Sequence, residues 1–381
     1  MKSFLSGILA VLSLSPVAYA QSVSMRYLDL FIEGGATAGY YFSGTSYDKN
    51  FNTFSSYSQF EFNRNAENIL LNDALLELRT GPLHVMNTEF RMGMGHLSRL
   101  TILDGNGNLA LGSQYIQQAP VSSTSSQDLN VTRRQLEAEL IQSQRDDVNI
   151  YYAQMAISPA PYVLLEAGRL ATHLGYEVSP SYTNWNSGFG LVWMKQPTYY
   201  NGFRLSYEFE KLNAYLEFNQ DDSFARTPAV VAGLFGKSAD MRYSAAFYFS
   251  DYGHNLFDAM VESGFDRVTI AANIDVHIVQ GSAQDINNRV SLAAAVYLIP
   301  HIMRFDLPLR LEIIRDSQAG MYDMSRGYSL TFTPTARLAE NFFVRAEFAF
   351  ISSYNGIFRG LQDELVYYEK TDYSLQFGYY F

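Results

Sequence analysis

Apolar and polar residues alternate strictly along much of the chain. From Phe203 to Phe209 every second residue is large and apolar, whereas the residues between them, such as Arg204 and Glu208, are polar. A period of two is typical of a β-strand with two different faces. The alternation resumes after Glu210-Lys211, so the sequence predicts a tight hairpin at this point.

The same alternation recurs in runs of similar length and predicts sixteen strands, with a range of 14 to 18. We expect them near residues 28–43, 68–79, 84–95, 148–158, 162–171, 199–210, 211–219, 228–235, 240–250, 258–265, 267–279, 288–299, 302–315, 325–334, 341–352 and 372–381. This predicts an all-β fold.

The connectors between these strands alternate between long and short. The long connectors include 44–67, 96–147 and 172–198, whereas Thr80–Leu83 and Ala160-Pro161 are brief turns. A soluble sandwich also alternates along its strands, but short turns at one end and long loops at the other are typical of a bacterial outer-membrane barrel. We therefore predict a transmembrane antiparallel up-and-down β-barrel, localised in the bacterial outer membrane, with both termini periplasmic.

The first twenty residues have the pattern of a signal peptide. Lys2 supplies a positive charge, Phe4 to Leu14 form a short apolar core, and Ala18-Tyr19-Ala20 matches the small-x-small cleavage pattern. A buried N-terminal helix is the alternative, but Ser15-Pro16 after so short an apolar run favours export. We expect a signal peptide at 1–20 and the barrel at 21–381.

Composition excludes several other classes. Charged residues are 17% of the chain and acidic residues outnumber basic ones by 38 to 27, which argues against disorder and nucleic-acid binding. The mature chain has no apolar stretch long enough for a membrane-spanning helix. Aromatic residues reach 15%, and they favour strands and lipid–water boundaries. The absence of Cys excludes disulfides and thiolate sites.

If the apolar face meets lipid, the charged face must line the interior of the barrel. Sixteen strands close to a cylinder roughly 30 Å across, which is wide enough for an aqueous channel. The predicted pore-lining residues are Glu89, Arg91, Arg204, Glu208, Glu217, Arg242, Asp275, His277, Arg289, Arg304, Asp306, Arg310, Glu312, Arg345 and Glu347.

A channel of this width needs a constriction, and two long connectors could supply it. These are 96–147 and 172–198, of which the second contains both tryptophans of the chain. Candidate constriction residues in this second connector are Glu177, Trp185, Trp193 and Lys195. An ordered external cap is the alternative, and the sequence does not decide which connector enters the pore.

The sequence contains no recognisable pattern of catalytic or metal-binding residues. The six histidines show no spacing of a triad or dyad, and His277 with Asp275 is more typical of a pore-lining pair. Asp104 to Asn108 resembles the start of a calcium loop, but Leu109 and Tyr115 occupy positions that require Gly and Glu. We expect no enzyme activity, no cofactor and no metal.

Residues 165–177 carry a resemblance to a known family. The run Leu165-Glu166-Ala167-Gly168-Arg169-Leu170-Ala171-Thr172, followed by Leu174-Gly175-Tyr176-Glu177, resembles the signature of the OmpL-like β-barrel porins, the beta-barrel porin-2 family. The segments Pro197–Gly202 and Gly39–Tyr41 are similar to that family too. The resemblance implies an outer-membrane porin. A phosphate-selective porin is the nearest alternative, and a total of only six lysines argues against it.

We therefore expect a water-filled channel for passive diffusion of small hydrophilic solutes and ions, with outer-membrane lipid as its surroundings. The eight long connectors hold −9 of formal charge, which predicts a weak cation preference. A barrel enzyme and a loop-plugged structural or adhesive barrel remain alternatives. The sequence determines neither the solute nor whether the barrel is a monomer or a homo-oligomer such as a trimer.

Overall fold

The computed structural model describes most of the strands and parts of their connectors. The described residues are 23–25, 28–46, 54–55, 70–83, 86–95, 149–178, 181–197, 199–208, 211–221, 227–238, 240–250, 254–279, 289–316, 322, 325–354, 358–359, 366–367 and 369–381. The predicted signal peptide and the 96–147 connector lie outside them, so both remain predictions. In the described part of the chain, no helix has the length and apolar character to cross a membrane.

Sixteen antiparallel strands form one closed barrel, which confirms the predicted fold class and strand number. They are β1 (Leu28–Ser46), β2 (Leu70–Leu83), β3 (Met86–Gly95), β4 (Asn149–Ala160), β5 (Val163–Ala171), β6 (Tyr199–Glu208), β7 (Leu212–Asp221), β8 (Thr227–Ser238), β9 (Met241–Ser250), β10 (His254–Phe265), β11 (Val268–Val279), β12 (Arg289–Ile302), β13 (Phe305–Asp306 and Leu309–Asp316), β14 (Arg326–Phe332 and Thr335–Ala339), β15 (Phe342–Ser353) and β16 (Glu369–Tyr380).

The first and last strands close the barrel. Gly35 of β1 pairs with Tyr380 of β16, and the ladder continues to Ser46 opposite Glu369. Beyond the end of β16, the Phe381 N–H donates to the Gly34 carbonyl at 2.8 Å. Closure satisfies the backbone groups that an open sheet would leave at its edges, and a barrel in lipid requires this.

Alternation separates the two faces as the sequence predicts. On β7, Leu216 points outward and is 37% exposed, whereas the neighbouring Glu217 points inward and is fully buried. Outward-facing Phe203, Leu205 and Phe218 are likewise exposed. A continuous band of large apolar side chains on the outside is what contact with hydrocarbon requires.

Prolines interrupt β13 and β14. The breaks fall at Pro308 and Pro334, which have no N–H to give to the ladder. The Thr333 N–H donates to the Pro308 carbonyl at 2.9 Å, so pairing of the two strands continues across the breaks.

Several predicted boundaries differ from the structure, and two of the differences change a predicted strand or turn. Arg304, expected on an inward strand face, lies with Met303 in the exposed turn between β12 and β13, and the φ of Met303 is 55°. This turn falls inside the predicted 302–315 strand because the alternation runs through it unbroken. Residues 80–83, expected as a turn, belong to β2, whose register shifts between Thr80 and Leu83.

Candidate functional site in the barrel interior

The connector between β5 and β6 lies inside the barrel. We call residues 172–198 the inner loop, of which 172–178 and 181–197 are described. Its Leu174 and Val192 are fully buried, and the loop forms hydrogen bonds with inward-facing side chains of β10 to β16. The structure thus places this connector within the barrel and not over its rim.

Glu177 of the inner loop forms a buried ion pair with Arg310 on β13. Glu177 Oε1 accepts from Arg310 Nη1, and its other oxygen accepts from the Gly190 N–H at 2.6 Å. Arg310 also donates to the Gly188 carbonyl at 2.9 Å and to Thr331 at 3.0 Å. A buried arginine with this many acceptors fixes the loop against the wall, because separating the ions would leave charge unpaired.

Gly190 is required at its position by close approach to a second carboxylate. A Cβ on Gly190 would lie 2.3 Å from Glu312 Oε1, so a larger residue would displace the carboxylate. Glu312 accepts from the Val192 N–H at 3.0 Å and from the Ser329 hydroxyl. Glu312 therefore binds loop backbone directly, which the sequence pattern could not show.

Glu347 on β15 makes the second attachment of the loop. It accepts from the backbone N–H groups of Ser187 at 2.7 Å and Gly188 at 2.9 Å, and from the Thr333 hydroxyl at 2.8 Å. Asn186 donates to the same Thr333 at 2.7 Å. Charge-assisted bonds to two successive N–H groups hold the middle of the loop on this wall.

The third attachment uses a pair of carboxylates. Asp258 and Asp275 are direct cross-strand partners on β10 and β11, and both are fully buried. Asp258 accepts from the Gly175 N–H at 3.0 Å, near the start of the loop. Asp275 accepts from Gln196 Nε2 at 2.8 Å, near the end of the loop. Both ends of the inner loop are thus held by adjacent strands.

Aromatic side chains of the loop pack against small inward-facing residues. Phe189 and Trp193 stack with their ring centroids 3.7 Å apart, in one buried apolar cluster with Ala271, Ala293 and Ala295. The sequence predicts a charged inner face, but three inward positions on β11 and β12 are alanines that leave room for the loop. This part of the interior is therefore a packed core.

Tyr176 connects the loop to the charged pair on β9 and β10. Its hydroxyl donates to Glu262 at 2.5 Å, and its ring lies 5.5 Å from the Arg242 guanidinium carbon. Burial, together with the bond to Glu262, raises the pKa of the Tyr176 phenol above its ordinary value. The phenol remains the proton donor in this bond.

A second buried ion cluster lies on the neighbouring strands. Arg204 on β6 is bonded to Glu217 at 2.7 Å and to Glu166 at 3.0 Å, and it also donates to the Ala171 carbonyl at 2.6 Å. Its side chain is 1% exposed. The cluster joins β5, β6 and β7 inside the barrel.

One row of polar side chains was not evident from sequence spacing. Thr269 Oγ1 and His301 Nε2 lie 2.9 Å apart, His301 Nδ1 lies 2.7 Å from Asp306 Oδ1, and Arg337 Nε donates to Asp306 Oδ2 at 2.7 Å. The row crosses β11 to β14 near the rim with the short turns, which we call the turn rim. Trp185 reaches this row, with its ring 5.4 Å from that of His301.

The remaining predicted residues occupy different positions. Arg91 faces inward and lies 3.2 Å from Glu77, and His277 is buried with Nε2 3.0 Å from the Tyr322 hydroxyl. Arg345 is buried and donates to the Asn184 carbonyl at 2.7 Å.

Two other predicted residues are at least partly exposed. Glu208 is exposed at the end of β6, and Lys195 is partly exposed. The side chains of Glu89 and Arg289 fall outside the described residues.

Within the described ranges, no group of three or more His, Asp or Glu side chains is arranged to hold a metal ion. Many inward-facing charged groups instead pair with one another or bind the inner loop.

A closed sixteen-strand barrel with an apolar outside, a charged inside and a connector folded into it is an outer-membrane barrel of the porin class. The chain belongs to the family described as beta-barrel porin-2, OmpL-like, which matches residues 30–364. This confirms the family indicated by residues 165–177. A search of curated proteins by sequence found no match.

Solved structures of similar fold are also outer-membrane barrels. The outer membrane channel DcaP of Acinetobacter baumannii is 10% identical, with a TM-score of 0.58 over 94% of this chain and 99% of that one. OmpF of Salmonella typhi, in complex with daunomycin, is 11% identical, with a TM-score of 0.55 over 93% and 98%. The trimer form of OmpT of Vibrio cholerae is 8% identical, with a TM-score of 0.55 over 93% and 99%. At these identities the likeness is one of fold.

Proposed function

We propose that this protein is a general diffusion porin, an outer-membrane channel for passive passage of small hydrophilic solutes and ions with a weak cation preference. The observation that carries the proposal is the inner loop, which is fastened inside the barrel at three charged sites. A loop held in this way narrows a wide barrel, and the radius and charge of the narrowed path then set the selectivity.

In this proposal Glu177, Trp185, Trp193 and Lys195 belong to the loop that forms the constriction. Partly exposed charged residues of the strands, such as Arg91 and Arg242, line the water path, whereas buried ones such as Arg310 hold the loop in place. Residues 1–20 are removed as a signal peptide. An even number of strands brings both termini to the turn rim, which we assign to the periplasm because outer-membrane barrels have short periplasmic turns. A homotrimer is one assembly open to such a barrel.

Single-channel recording of the refolded mature chain in planar bilayers tests the channel. We expect stepwise, voltage-independent conductance that increases with salt concentration. Protein that inserts into the bilayer with the circular dichroism of a folded barrel, but conducts no current, would exclude the porin and favour a plugged structural barrel.

The alternative of a barrel enzyme has one candidate site, which consists of Thr269, His301 and Asp306. A hydroxyl, an imidazole and a carboxylate in this order resemble the arrangement of a hydrolase triad. Ester hydrolysis that is lost in His301→Ala would establish that alternative. We expect no turnover above that of empty detergent micelles.

A further inference from the structure

A cavity at the turn rim lies between the inner loop and the wall formed by β13 to β16. Its volume is about 320 Å³, and five of its lining side chains are aromatic, among them Tyr182, Trp185 and Phe343. The charged residues of the lining are Arg337, Arg345 and Asp306, so its formal charge is positive by one. A volume near the lower end of the usual range for ligand sites suits a small organic molecule.

Arg337 presents an open hydrogen-bonding edge at this cavity. Its Nε is bonded to Asp306 Oδ2, and its side chain is 53% exposed. Among the described residues, the two Nη groups of Arg337 have no hydrogen-bond partner. Asp306 is already held on its other oxygen by His301. A guanidinium edge of this kind binds a carboxylate through two parallel hydrogen bonds.

Arg345 has a different role in the same cavity. It donates to the Asn184 carbonyl and to Gln376, and its guanidinium carbon lies 5.2 Å from the centroid of the Phe343 ring. These bonds fix the loop backbone next to Trp185. They also hold the positive charge of Arg345 against the Phe343 ring. The cavity is therefore preorganised by groups that a ligand does not have to displace.

The space on the other side of Trp185 has the opposite charge balance. That cavity is about 570 Å³ in volume, and its lining has three acidic and two basic residues. Its Glu262 and Arg242 are paired with each other at 3.3 Å. Trp185 thus divides a slightly negative space from a slightly positive one, and an anion is favoured only in the smaller cavity.

We propose that the smaller cavity binds a small organic monoanion in transit, with its carboxylate on Arg337 and its flat apolar body against Trp185 and Tyr182. This inference rests on the proposed channel function, of which it names one solute class. A weak cation preference set by the acidic connectors reduces the entry of anions but does not prevent it. Aromatic rings bury flat apolar groups well, and the single charge matches the single positive excess of the lining.

Tryptophan fluorescence of the full refolded chain in detergent tests the proposal, with benzoate as the probe. Because Trp185 lines the cavity whereas Trp193 is buried against Phe189, saturable benzoate quenching should disappear in Trp185→Phe. Benzylammonium has a similar shape and the opposite charge, so it should give no saturable response. A non-saturable benzoate response, or an equal response to benzylammonium, would overturn the proposal.

Arg337→Gln should weaken benzoate binding at least tenfold, measured by fluorescence and by calorimetry. Arg304→Gln is the matched control, because Arg304 lies in the adjacent exposed turn and does not line the cavity. Unchanged affinity in Arg337→Gln would exclude Arg337 as the anchor. Binding in detergent needs no current, so the two failures can be told apart. Conductance without binding would refute only this inference, whereas binding without conductance would refute the porin and the transit of the anion and leave a binding site alone.

Discussion

Adjacent residues on a strand of this barrel meet opposite environments. Leu216 faces outward among apolar neighbours, and Glu217 faces inward against Arg204. Leu216→Arg places a charge in hydrocarbon and should destabilise the barrel by about 2–4 kcal/mol near the bilayer midplane. Urea unfolding in lipid vesicles measures this, with Leu216→Phe as the apolar control. Equal midpoints for the two variants would contradict the outward assignment of Leu216.

Buried and exposed arginines should differ sharply in their effect on stability. Arg204→Ala leaves Glu166 and Glu217 buried without their partner and should cost about 3–5 kcal/mol. Arg267 lies 3.7 Å from Asp266 in an exposed turn, so Arg267→Ala should leave the unfolding midpoint unchanged.

A rescue variant separates lost charge pairing from lost packing around Arg204. Adding Glu166→Gln and Glu217→Gln to Arg204→Ala removes the two unpaired charges and should recover part of the lost stability. If the triple variant were as unstable as Arg204→Ala, the packing of the arginine side chain would be its main contribution.

At the scale of elements, the inner loop is the feature that the channel proposal depends on. Ala171 and Tyr199 are cross-strand partners at its two ends, so a short Gly-Ser linker can replace residues 181–196 without moving β5 or β6. We expect a larger single-channel conductance, because the constriction is removed. Unchanged conductance in a folded barrel would assign the constriction to another connector.

Shortening the 96–147 connector by the same number of residues is the matched control for the loop exchange. That connector lies outside the described residues and is the other candidate constriction from the sequence. If its shortening alone raised conductance, the role proposed for the inner loop would be wrong.

At the scale of the whole molecule, the distribution of charge predicts ion preference. With the strand bounds of the structure, the connectors at the rim opposite the turn rim hold −7 of formal charge in total, whereas basic and acidic side chains pair inside the barrel. Fixed negative charge raises the local cation concentration, and salt screens it over about 10 Å at 0.1 M. Reversal potentials in a salt gradient should indicate weak cation selectivity that decreases as salt rises. Anion selectivity at low salt would contradict this.

The strands, their number and the apolar or polar character of each strand face follow from the sequence alone. These properties are local, because a period of two needs only neighbouring residues and every strand repeats the same contrast between lipid and interior. Leu216 and Glu217 fall on the predicted sides for this reason. Residues 165–177 were also sufficient to indicate the family.

The position of the inner loop and the partners of the inward polar groups depend on contacts between distant parts of the chain. Thr269, His301 and Asp306 come together through the register of three strands, and the alternation within one strand carries no information about register. The strand pattern does not show why the inward residues of β11 and β12 include alanines. In the structure, these alanines pack against the aromatic rings of the inner loop. Glu177 and Arg310 are 133 residues apart, and barrel closure is what places them in contact.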